Sequence, residues 1–107
     1  MRKIFILGLL FLLAASFDVG AQTPFYQGKT IRIIVGYPAG DTNDQWPRLF
    51  AQFMGKYIPG NPTIIVQNMT GGGSMIAANY VYTVGKNDGL TLGWVSPALY
   101  FDQLAGL

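Results

Sequence analysis

Hydrophobic and polar positions follow two alternating patterns along residues 22–107. Three short runs are dense in β-branched and other apolar residues, which is typical of strands buried in a parallel sheet. These runs are Thr30–Gly36, Thr63–Gln67 and Leu90–Val95. The segments between them carry apolar residues three and four positions apart, as helices do. The pattern therefore predicts an α/β fold in the order β-α-β-α-β, with parallel strands and short connections.

The first predicted helix carries one apolar stripe, which we interpret as core rather than as a cofactor-binding surface. The stripe consists of Trp46, Leu49, Phe50, Phe53, Met54, Tyr57 and Ile58. Pro47 limits where this helix can begin, because a proline beyond the first turn costs a hydrogen bond. An N-cap at Asn43 or Asp44 keeps Pro47 in the first turn, and we favour it. The alternative is a cap at Thr42, with Gln45 completing a capping box.

Two further helices are predicted downstream. The second spans about Met75 to Val84 and ends at Gly85, a common C-terminal residue. The third starts near Ala98, directly after Ser96 and Pro97.

The first 21 residues have the composition of a secretory signal peptide. Arg2 and Lys3 precede an apolar run over residues 4–15, and Val19 and Ala21 stand at the minus-three and minus-one positions that a signal peptidase prefers. We predict cleavage after Ala21, with Ala15 as the alternative, and export to the periplasm. A retained membrane anchor is the competing interpretation, but the run is shorter than the roughly 20 residues that span a bilayer.

The composition narrows the chemistry that the chain can perform. The sequence contains no cysteine and no histidine. It therefore has no disulfide, thiolate nucleophile or imidazole base, and it lacks the usual zinc ligands. We expect no catalysis, no metal and no cofactor. The net charge is only +2 and the basic residues form no stripe, so nucleic acid is not an expected partner.

Three predicted loops follow the carboxyl ends of the strands, where ligands bind in open α/β sheets. They cover residues 37–44, 68–74 and 96–97. The first two lead into helix N-termini, which present unpaired N–H groups to anions. Glycines 71–73 would let those groups approach a ligand closely. The loops therefore predict a site for a small carboxylate or a similar polar solute.

Each loop also has a purely structural interpretation. The glycine triplet could be only a turn before a helix, and it matches neither the phosphate-binding P-loop nor G-x-G-x-x-G, where Ile76 replaces the last glycine. Asp41 and Asp44 could form a carboxylate pair or a metal site. Close aspartates are commoner in caps and turns, so we assign Asp44 to a helix cap.

Three segments carry a resemblance to a known family. Residues 31–44, 66–74 and 86–92 resemble, in order, a first strand with its Pro- and Gly-rich loop, a second strand with an asparagine and a glycine-rich loop, and an Asp-Gly turn before a third strand. These are features of the substrate-binding proteins of tripartite tricarboxylate transporters, the Bug family. The resemblance implies a two-lobed, type II-like periplasmic binding protein that delivers a di- or tricarboxylate to membrane permease subunits.

On this resemblance, residues 22–107 would be part of the N-terminal lobe, and the second lobe would be absent. The implied solute contacts are Tyr37, Ala39, Gly40, Thr42, Asp44, Gly72, Gly73, Ser74 and Ser96. The chain departs from the family at Asp41, where glycine is usual, at Thr70, where proline is common, and at Gly72, where alanine is common. Asp41 adds a negative charge close to the expected anion.

Two other functional classes compete with a binding protein. One is a fragment of a nucleotide-binding α/β enzyme, which the missing phosphate motifs disfavour. The other is a truncated product whose sequence keeps the motifs of its ancestors but which binds no solute.

Overall fold

The computed structural model describes residues 22–106, and the predicted signal peptide therefore lies outside the described residues. The elements are β1 (Thr30–Val35), α1 (Thr42–Met54), β2 (Thr63–Asn68), α2 (Met75–Thr83), β3 (Thr91–Trp94) and α3 (Ala98–Ala105). The predicted β-α-β-α-β order is confirmed, and so is the third helix. No helix within residues 22–106 is long and apolar enough to cross a membrane.

The strands form one parallel sheet in the order β2-β1-β3. β1 lies in the centre because its β-branched residues can be buried on both sides, and Ile31, Ile33, Ile34 and Val35 are all at most 4% exposed. The chain moves from β1 to β2 in one direction and from β2 past β1 to β3 in the other. Right-handed crossovers then place α1 and α2 on opposite faces of the sheet.

Side-chain contacts agree with this arrangement of the two helices. On the α1 face, Ile33 and Leu92 line an apolar cleft together with Phe50. On the opposite face, a Cβ atom added at Gly93 would lie 3.5 Å from the side chain of Val81 in α2. The reversal of strand order occurs beside β1, so the loops after β1 and β3 diverge at the edge where open α/β sheets bind ligands.

The prediction that the aromatic stripe of α1 forms the core is wrong for its largest members. Trp46, Phe50 and Phe53 are 53%, 47% and 45% exposed. The fully buried residues of α1 are instead Asp44 and Pro47. Asp44 is drawn inward by hydrogen bonds to the neighbouring loops. Of the stripe, Phe50 and Met54 line the cleft against the sheet, whereas Trp46 and Phe53 do not.

The predicted N-cap is also wrong. The helix begins at Thr42, and its N-cap is Asp41, whose Oδ1 accepts a hydrogen bond of 2.7 Å from the backbone N–H of Asn43. A carboxylate one residue before the first helical position satisfies an otherwise unpaired donor. Pro47 therefore lies beyond the first turn and cannot donate to the carbonyl of Asn43.

Candidate functional site

The loops that follow the three strands start from one hydrogen-bonded edge of the sheet. The N–H of Gly36 donates to the carbonyl of Trp94 at 2.9 Å, and the N–H of Met69 donates to the carbonyl of Val35 at 2.7 Å. The hydroxyl of Ser74 donates to the carbonyl of Gly36 at 3.1 Å. Gly36, which directly precedes the first loop, is thus bonded to the end of β3 and to the end of the second loop.

A buried carboxylate organises the first loop. Oδ2 of Asp44 accepts from Nε of Arg48 and from the N–H of Gly40, each at 2.8 Å. Oδ1 of Asp44 accepts from Nδ2 of Asn68 at 2.6 Å, and Oδ1 of Asn68 accepts from Nη2 of Arg48 at 2.7 Å. Nδ2 of Asn68 also donates to the carbonyl of Tyr37 at 2.9 Å. We call these five residues the Asp44 network; they tie the first loop to α1 and to the end of β2.

The Asp44 network keeps its carboxylate ionised. The hydrogen bond from Arg48 lowers the pKa of Asp44 from 3.8 to about 2, against the opposing effect of burial and with help from Gly40 and Asn68. Within residues 22–106, Asp44 and Arg48 form the only ion pair. The carboxylate has no exposed surface, so its charge is balanced inside the protein and is not offered to solvent.

The lowered pKa of Asp44 predicts a stability change in acid. The unfolded chain binds a proton at Asp44 near pH 3.8, whereas the folded chain binds it only near pH 2. The free energy of unfolding should therefore fall as the pH drops through this window, because the unfolded state then holds more protons. Urea unfolding at a series of pH values measures this slope. The slope should persist in Asp88→Asn and flatten in Asp44→Asn; equal slopes in both variants would contradict it.

The second loop has a strained backbone that is fixed by packing. Gly72, Gly73 and Ser74 have φ values of 53°, 60° and 81°. The left-handed region is unfavourable for serine, and such strain persists only where the surroundings hold it. Ser74 is 2% exposed, and it packs so closely on Gly36 that a side chain at Gly36 would collide with its Cβ and Oγ atoms. The absence of a side chain at Gly36 thus allows the first two loops to touch.

Free backbone donors are more numerous in the second loop than at the start of α1. The N–H groups of Gly72 and Gly73 have no acceptor among the described residues, and both glycines are exposed. A Cβ atom added at Gly73 would meet nothing within 4 Å. At α1, by contrast, Asp41 accepts the N–H groups of Asn43, Asp44 and Gln45 through its carboxylate and carbonyl oxygens. The second loop therefore offers an anion two adjacent donors, whereas the start of α1 offers only the N–H of Thr42, next to the carboxylate of Asp41.

The structure places the predicted solute contacts in three environments. Exposed are Ala39, Gly40, Thr42, Gly72 and Gly73; half-buried are Tyr37 and Ser96; buried are Asp44 and Ser74. The oxygen atoms of the two buried residues bond to the protein itself, so these side chains position the loops. The hydroxyl of Ser96 accepts the N–H of Ala98 at 3.2 Å, at the start of α3.

Sequence reasoning missed two residues of this edge. The signal for Arg48 is its position four residues after Asp44, a spacing at which helical side chains pair. The pattern identifies Gly36 only as the last residue of a strand. Its contact with Ser74 joins residues far apart in the chain, and no local pattern predicts such a contact.

Comparisons with family models, with curated proteins and with solved structures find no match to this chain. The resemblance described above therefore stays a prediction. Within residues 22–106 there is no group of three or more acidic, histidine or cysteine side chains placed to hold a metal ion. The two aspartates considered as a carboxylate pair, Asp41 and Asp44, instead cap α1 and anchor the Asp44 network.

Proposed function

We propose that this chain is the N-terminal part of a periplasmic solute-binding protein that captures a small di- or tricarboxylate. The observation that carries the proposal is the pair of exposed N–H groups at Gly72 and Gly73, which lack protein acceptors within the described residues. Backbone donors that are held in place before a ligand arrives bind a carboxylate without a cost for ordering the loop.

The proposed binding chemistry is hydrogen bonding from the second loop to one acid group of the solute. Bonds from N–H groups to a carboxylate are charge-assisted and about twice as strong as neutral ones. The carboxylate of Asp41 is exposed at the start of α1 and would repel an anion there. We therefore place the acid group on residues 72–73, with Thr42 and Ala39 facing the remainder of the solute.

The wider assignment belongs to the same proposal. It comprises membership of the Bug family, a signal peptide over residues 1–21, a two-lobed type II-like fold and delivery to the permease subunits of a tripartite transporter. It is supported by the three sequence segments in family order, by the parallel sheet and by the position of the glycine-rich loop after β2. Arg48 and Asn68 enter as positioning residues through the Asp44 network.

Calorimetric titration with succinate, citrate and ATP tests the functional class. We expect saturable binding of at least one of the two carboxylates and none of ATP, because the chain lacks a phosphate-binding loop. Saturable binding of ATP alone would favour the enzyme-fragment interpretation. No binding of any of the three by a chain whose circular dichroism shows it to be folded would favour the non-functional truncated product.

A further inference from the structure

A second polar pocket lies at the opposite end of the sheet, where β1 and β3 begin. It has a volume of about 310 Å³, at the lower end of the roughly 300–1,000 Å³ that is usual for small-molecule sites. Its walls come from the two strands, from α2 and from the turn after α2. The polar residues lining it are Thr30, Arg32, Tyr80, Lys86, Asp88 and Thr91.

Arg32 is the unusual residue of this pocket. It stands in the central strand between Ile31 and Ile33, which are 3% and 4% exposed, yet Arg32 itself is exposed. Alternation along the strand puts Arg32 on the face that α2 covers, together with the buried Ile34. An apolar residue would extend the contact with α2, so the arginine turns this end of the sheet face polar.

The cations of the pocket have no anionic partner in the described part of the chain. Nη1 of Arg32 lies 3.5 Å from the hydroxyl oxygen of Tyr80, at the outer limit of a hydrogen bond, and neither Arg32 nor Lys86 forms an ion pair there. Asp88 is the one carboxylate of the lining, and its Oδ1 accepts the N–H of Leu90 at 3.0 Å. The lining therefore carries two positive charges against one negative charge.

We propose that this pocket binds the oxyanion group of a small ligand, carried as a carboxylate or a phosphate. Arg32 supplies the planar donor pair that suits either group. Thr91 stands beside Arg32 in the strand register, so its hydroxyl and that of Tyr80 add neutral donors from β3 and α2. Lys86 follows the C-terminus of α2, where its charge is already explained because a cation there complements the helix dipole. We therefore assign Arg32 as the principal ligand. The site is separate from residues 72–73 and does not depend on the function proposed for them.

Titration of the ¹⁵N-labelled full chain with inorganic phosphate, and separately with succinate, tests this second site by NMR. Saturable shifts are expected at the amides of Thr30, Tyr80 and Thr91 with at least one probe, and the tighter probe identifies the acid group. Arg32→Gln should weaken that binding about tenfold to a hundredfold, as expected for the loss of a charged hydrogen bond. Tyr80→Phe removes only a hydroxyl and should weaken it by less than Arg32→Gln does.

The matched control is Lys56→Gln, which removes one positive charge outside the pocket, where Lys56 lies over the ring of Phe53. Binding in this variant should stay within about twofold of the parent chain, because exposed charges are screened by salt. Equal weakening in Lys56→Gln and Arg32→Gln would overturn the proposal, since it would show that the loss of affinity depends only on the net charge of the protein. Absence of saturable shifts at this end of the sheet with both probes would also overturn it.

Discussion

Replacing Asp44 with asparagine should destabilise the fold by about 2–3 kcal/mol. The amide presents an NH₂ group where the carboxylate accepted hydrogen bonds from Arg48, Gly40 and Asn68. At least one N–H donor then faces a second donor and has no acceptor. Asn68 at the end of β2 can be left with only its bond to the carbonyl of Tyr37 as a link to the first loop. The side chain of Arg48 is 48% exposed and can be solvated by water, which keeps the loss below that of a fully buried ion pair.

Asp41→Asn is the matched control for this substitution. It removes the same charge three positions earlier, but asparagine is as good an N-cap as aspartate, so the change should stay within about 0.5 kcal/mol. Urea unfolding followed by circular dichroism measures both variants. Equal stability losses would mean that the Asp44 network contributes no more than a surface charge does.

Gly73→Val should abolish carboxylate binding while leaving the helix content almost unchanged. The space beside Gly73 contains no protein atom within 4 Å, so the valine side chain would project into the volume that we assign to the solute. A left-handed conformation at a non-glycine residue also costs about 1–2 kcal/mol, which strains the loop that presents the two N–H groups. Calorimetry with the carboxylate that binds the parent chain measures the loss.

Gly28→Val separates occlusion of the site from backbone strain. Gly28 also has a positive φ, 70°, with nothing within 4 Å of an added Cβ atom, but it lies before β1 and away from the loops. The backbone strain introduced by valine is therefore similar in the two variants. Binding should survive in Gly28→Val. Retained affinity in Gly73→Val would remove the second loop from the proposed site.

The fold could be predicted largely from local patterns. The β-branched run that forms β1 is buried as expected, and α2 ends close to the predicted stop at Gly85. α1 ends earlier than predicted, at Met54, and a 3₁₀ turn over Gly55–Tyr57 leads to the breaker at Pro59. The strand order β2-β1-β3 was not predicted, since periodicity along a chain does not identify the neighbours of a strand. Helical periodicity also does not predict the burial of Asp44, a polar residue held by tertiary hydrogen bonds, or how much of the apolar stripe the sheet covers.

The sequence predicts which loops form the candidate site, but not which of their atoms are free to bind a ligand. The carboxyl ends of parallel strands meet at one edge, so the loops after β1, β2 and β3 were expected together. Which backbone donors are free depends on the cap of α1, and that cap proved to be Asp41. The contact between Gly36 and Ser74 and the bond from Asn68 to Tyr37 join distant segments that no spacing rule connects.

The position of a bound acid group can be measured directly by ¹⁵N–¹H NMR during titration of the full chain with succinate. We expect saturable shifts of the amide signals of Gly72 and Gly73, because their N–H groups would donate to the acid group. Smaller changes are expected at Thr42. The opposite result would be succinate binding that leaves the signals of residues 72 and 73 unmoved. It would place the acid group elsewhere and contradict the proposed role of the second loop.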